Sequence, residues 1–129
     1  MLDTSPLTAA VERFADRLRA APQSRLGQGA AETALELARE LSVRAQRLEA
    51  ASAGAGDGTG AAPAREMPDA GMFVVGDQVA VAGLDLAEAL RTLGPAGEPV
   101  PGPDGAKAPS EMLDEAVRLV ERAEVRAMR

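Results

Sequence analysis

The stretch MFVVGDQVAVAGLDLAEALRTL, Met72 to Leu93, decides the fold class, because it supports two incompatible readings. As strands, Met72–Val75 and Gln78–Ala82 would flank Gly76-Asp77, a two-residue hairpin turn with Gly in its first central position. As a helix, Met72, Val75, Val79, Ala82, Leu86, Leu90 and Leu93 recur at spacings of three and four, the stripe of one buried helix face. Gly76, Ala80, Gly83 and Ala87 form an adjoining stripe of small residues, against which a second helix can approach closely. Two interior glycines cost a helix roughly 1 kcal/mol each relative to Ala. An isolated hairpin is only marginally stable in water, and no other part of the chain reads as a strand. The helical reading wins.

Working outward, three more segments carry the same period. Leu7, Val11, Phe14 and Leu18 make a stripe after Ser5-Pro6, read as N-cap and first helical residue, and Pro22 ends it. Gln23 to Gly29 reads as a short connection. Ala34, Ala38, Leu41, Ala45 and Leu48 form the seam of a second helix, widened by Leu35 and Leu37. Leu113, Ala116, Val117, Val120, Ala123 and Ala127 face inward on a last helix, capped at Ser110 and acidic in its first turns. The expectation is an all-α, four-helix bundle-like single domain with helices at about 6–21, 30–51, 70–93 and 110–127. Two flexible linkers separate them, at about 52–68 (Gly-rich) and 94–109 (Pro-rich).

The chain that must fill this bundle has 129 residues, net charge −6, and no Cys, His, Trp or Tyr. Its hydrophobicity is mostly alanine: 28 Ala stand beside 14 Leu, 10 Val, 2 Phe and no Ile. A buried Leu stabilises by about 1.5–3 kcal/mol and Ala by far less, so this core is thin. It must close by tight helix packing or be completed by a partner. Ala, Gly, Pro and Arg make up 63 residues, the signature of a GC-rich bacterial genome. Thirteen Arg against one Lys then reflects codon usage, not phosphate recognition.

Without Cys or His, disulfides, zinc sites, thiolate nucleophiles and imidazole triads are excluded. Carboxylates are the remaining metal ligands. Glu32, Glu36 and Glu40 share one helix face, and Glu111 with Asp114 follows the Glu-x-x-Asp spacing. A facing Glu-x-x-Glu pair for magnesium is lacking, since Glu36 and Glu40 stand four apart. Arg118, Arg122, Arg126 and Arg129 form a stripe on the last helix, a candidate surface for an acidic partner. Glu115, Glu121 and Glu124 balance it, and two phenylalanines are too few for base stacking, so nucleic acid is not an expected partner. The sole Lys, Lys107, lies in the Pro-rich linker, where a Ser–Lys dyad is not expected. No apolar run approaches the ~18–20 residues of a membrane span, and the start of the chain lacks a basic leader, so the expected setting is cytoplasmic.

The most informative residues lie on the far side of the third helix. If its stripe faces the core, Phe73, Val74, Val81 and Leu84 point away from it. A helix apolar nearly all round is enclosed, either by its own bundle or by another protein. The candidate interface residues are therefore Phe73, Val74, Val81 and Leu84, with Arg118, Arg122 and Arg126 as a second group. The expected function is non-enzymatic, exerted through a homodimer or as a regulatory adaptor, with no cofactor. The alternative is a small-molecule or magnesium–nucleotide site on the acidic faces.

Overall fold

The computed structural model describes residues 2–52, 65–93, 99 and 105–129, of which 79% are helical. No strand occurs among them. Four long helices build the domain: α1 (Ser5–Ala20), α3 (Ala31–Ser52), α4 (Val75–Leu93) and α5 (Pro109–Ala127). A single turn, α2 (Gln23–Arg25), precedes α3. Most of both expected linkers, residues 53–64, 94–98 and 100–104, lies outside the described residues.

The decisive stretch is helical from Val75 onward, and the hairpin does not form. The helix starts about five residues later than its periodicity suggests. Gly71 adopts a φ of 99°, and the Val74 N–H bonds the Gly71 carbonyl in a turn. That left-handed step, which only Gly takes cheaply, sets Met72, Phe73 and Val74 ahead of the helix. Two caps also differ from expectation. Ser5 and Pro6 both lie in the first turn of α1, with Thr4 at the cap; the Ser5 N–H and hydroxyl bond Asp3 Oδ1. Pro109, not Ser110, opens α5, and Ala108 caps it without a side-chain bond. Pro at the start of a helix forfeits no hydrogen bond, which explains the shift. The connection at 23–29 is also more ordered than a plain loop. After α2 a wide, π-like turn, Leu26–Ala30, breaks at Gly29, whose φ is 118°.

α4 packs on both α1 and α3, and α5 covers the same two helices from the other side. α4 and α5 therefore stand diagonally across the bundle and touch little. The buried set reproduces the sequence stripes: Leu7, Val11, Phe14 and Leu18 of α1, then Leu41 and Leu48 of α3. Val79, Ala82, Leu86 and Leu90 of α4 and Leu113, Ala116 and Val120 of α5 complete it.

What lets so small a core close is the glycine stripe of α4. A Cβ on Gly83 would lie 2.5 Å from Val11 Cγ2 and 2.6 Å from Cγ1. One on Gly76 would lie 3.1 Å from the Ala15 carbonyl oxygen. Helix α1 thus sits directly on the α4 backbone, and Val11 fills the space that a side chain would occupy. Buried charge adds a clamp between α1 and α5. Glu124, only 8% exposed, accepts from Arg13 Nε at 3.1 Å and pairs with Arg17 Nη1 at 3.2 Å.

Gly83→Ala is therefore expected to destabilise the fold by about 1–3 kcal/mol through overpacking. In an open helix the same change stabilises by about 1 kcal/mol. Urea melts of wild type and variant check the sign; a midpoint at or above wild type contradicts the close approach.

Candidate interaction surface

Because α1 and α3 occupy two sides of α4, its remaining side is open. Phe73 is 74% exposed, Val81 53%, Leu84 48% and Val74 37%. These four side chains contribute little to the enclosed core, which draws on Val75, Val79, Ala82, Leu86 and Leu90 of the same segment. Val74 and Phe73 continue the patch from the turn before the helix, not from the helix itself.

Two of the three acids of α4, Asp77 and Glu88, are paired within the chain, while the exposed Asp85 beside Leu84 has no ion pair among the described residues. Arg19 of α1 donates from Nε and Nη2 to Asp77 Oδ1, at 3.0 and 2.7 Å, and from Nη1 to Asp16. Asp77 holds the Arg19 guanidinium above its usual value, mainly by that hydrogen bonding. At the other end of α4, Arg91 pairs with Glu88 and donates to the buried Thr4 hydroxyl at 2.8 Å. Along this side the Arg19–Asp77 pair falls between Val74 and Val81, and the Arg91–Glu88 pair follows Leu84.

The arginine group is elsewhere. Arg118, Arg122 and Arg126 are exposed on α5, and none of them makes an ion pair among the described residues. Val125, 57% exposed, stands among them. Since α4 and α5 are diagonal, their outer sides face apart, and the structure does not unite the two groups of candidate residues.

Nor do the carboxylates converge. Glu32, Glu36, Glu111 and Asp114 are exposed, and Glu40 is tied to Arg44 at 2.9 Å. Arg44 reaches across to Glu115 of α5 at 3.2 Å, and Glu115 also pairs with Lys107. No group of three or more acids that could hold a metal ion occurs among the described residues. Comparison with family models, with curated proteins and with solved structures finds no match to this chain.

Two features escaped the sequence reading. Glu124 sits at the border of the α5 stripe, one residue after Ala123, and its partners Arg13 and Arg17 stand one turn apart on α1. That pattern of one acid opposite a spaced arginine pair was the available signal. The second is the ordered segment from Arg65 to Met72, whose first part the sequence assigns to a linker and whose last residues it assigns to the third helix.

Dispersed carboxylates lead to a direct expectation: neither EDTA nor added magnesium shifts the melting temperature. A site filled at a hundredfold over its dissociation constant would add about 2.7 kcal/mol. A reproducible upward shift with magnesium contradicts the arrangement described.

Glu115 makes a pH prediction. The Lys107 ammonium first, then the Arg44 guanidinium, hold its carboxyl below the usual carboxylate range, against partial burial, which pushes it up. A group depressed in the folded state stabilises fully above its unfolded value and loses that contribution as pH falls through the folded one. Glu115→Gln is thus expected to lower stability at neutral pH and to converge with wild type in acid, below about pH 4. Parallel melting curves over the whole acid limb would contradict this.

Proposed function

We propose that this chain is a non-enzymatic interaction module that pairs with a second copy of itself through the outer side of α4. The observation that carries the reading is the strip of Phe73, Val74, Val81 and Leu84, four large apolar side chains exposed together on a chain poor in them. Charge supports the choice of partner. Two copies of a strongly acidic protein ordinarily repel, but Arg19 neutralises Asp77 and Arg91 neutralises Glu88 along this border. Two such strips can therefore meet without opposing unpaired carboxylates at those positions. The absence of a carboxylate cluster among the described residues also favours this reading over a magnesium–nucleotide site. No helix among the described residues is long and apolar enough to cross a membrane. The composition adds a bacterial, cytoplasmic setting to the proposal.

Val81→Glu tests it. A carboxylate pressed into an apolar contact loses hydration without gaining a partner, at a cost of several kcal/mol, whereas on an open face it stays hydrated. Light scattering coupled to size exclusion is expected to show a dimer for wild type and a folded monomer for the variant. Detection needs refractive index, since the chain has no Trp or Tyr. A wild type that remains monomeric at high micromolar concentration refutes self-association.

A further inference from the structure

Residues 65–72 form a strap that runs back along the seam between α3 and α4, and the helices hold it by its main chain. Gln46 of α3 meets Arg65 as a neighbouring strand would. Its Nε2 donates to the Arg65 carbonyl at 2.9 Å, and its Oε1 accepts the Arg65 N–H at 2.7 Å. Further along, Arg39 Nε donates to the Met67 carbonyl and Gln78 Nε2 to the Pro68 carbonyl, each at 2.8 Å. All four bonds reach backbone atoms, so the seam selects an extended conformation without demanding a particular sequence. Among the described residues, the only side-chain ion pair to the strap is Glu66 with Arg39, at 3.3 Å.

The strap fills its seam poorly. Met67 is half-buried, while Arg65, Glu66, Pro68, Asp69 and Ala70 are exposed. A cleft of about 340 Å³ stays open beside it, bordered by Ser42, Gln46, Glu49 and Asp85. A second cleft of about 600 Å³ lies beyond Asp69, over Leu35, Met72 and Val75, and is bordered by Glu32 and by Arg39, which is paired with Glu66. Glu49 and Asp85 at one end, and Glu32 and Asp69 at the other, have no ion pair among the described residues. The seam thus combines a backbone clamp, room for one apolar anchor, and carboxylates that lack cations at both ends.

We propose that this seam is a peptide-binding groove, closed in cis by Arg65–Asp69, which takes an extended basic segment of another protein carrying one flexible apolar anchor. Gln46, Arg39 and Gln78 bind the incoming main chain as they bind the strap, in the manner of strand addition. The anchor takes the place of Met67, and basic side chains on the incomer meet the four carboxylates. While the strap is seated, the apparent affinity is reduced by the fraction of molecules with an open groove. This groove does not use the outer side of α4, so it stands or falls apart from the self-association reading.

The probe is a fluorescein-labelled peptide copying residues 64–71 with Glu66→Gln and Asp69→Lys, titrated into the full chain by anisotropy. Met67→Gly removes the anchor of the strap and leaves the walls of the groove intact. This variant is expected to bind the probe at least tenfold more tightly than wild type, and adding Gln46→Ala is expected to abolish the gain. The unaltered, acidic copy of the strap should bind more weakly than the basic probe. Leu84→Glu, on the outer side of α4, should leave all of these affinities unchanged. Equal affinities for wild type and Met67→Gly, or no binding to either, overturn the proposal. So does a Met67→Gly chain that no longer folds, because the strap is then part of the core and not a displaceable occupant.

Discussion

Contact between Val11 and the backbone of Gly83 is the constraint from which the rest of the architecture follows. A core built largely on alanine has little apolar area to bury, so its helices must come close enough for backbone and side chain to interlock. Gly83 and Gly76 permit that approach on one side of α4. Their helix-propensity penalty is the cost of a tight seam, and the seam fixes the rotation of α4 about its axis. Once α1 is seated there and α3 lies along the neighbouring side, Val81 and Leu84 have nowhere to go but outward. The exposed strip is thus a geometric consequence of the glycine stripe.

Charge does a different job. Ion pairs tie the helices together where apolar packing is thin: Arg13 and Arg17 of α1 to Glu124 of α5, and Arg44 of α3 to Glu115 of α5. α5 contributes mostly Ala and Val to the core, and these two links flank that sparse contact. Replacing the buried Glu124 by an apolar residue and stripping its two arginines are unequal operations, since only the second leaves an uncompensated buried charge. Asp77, Glu88 and Arg91 of α4 are likewise paired within the chain, whereas Asp85 beside Leu84 has no ion pair among the described residues. The arginines of α5 and the carboxylates beside the strap retain their charge for the surface.

Much of the fold was legible because helical period is a strong signal over long segments. Leu7, Val11, Phe14 and Leu18 sit where their spacing puts them, and the small residues at 76 and 83 mark the close crossing. Helix ends were less legible. Pro6 and Pro109 compete with neighbouring Ser residues for the start of a helix, and the turn at Gly71 delays α4 to Val75 although the periodicity begins at Met72. The outer strip of α4 was readable as soon as the helix was, being the complement of its buried stripe. The strap was not, because its order comes from side chains outside it, Gln46 and Arg39 of α3 and Gln78 of α4. Segments held by their main chain leave almost no trace in their own residue types.

The account stands most directly on the claim that the outer side of α4 is a contact surface and not an idle one. Methyl NMR on a sample labelled at Val and Leu, diluted from millimolar to micromolar concentration, examines that claim residue by residue. The account predicts that the resonances of Val74, Val81 and Leu84 move with dilution, while those of Val11, Val79, Leu86 and Leu90 in the core stay fixed. Methyl positions that are constant throughout, or that move at Val125 of α5 instead, would contradict it.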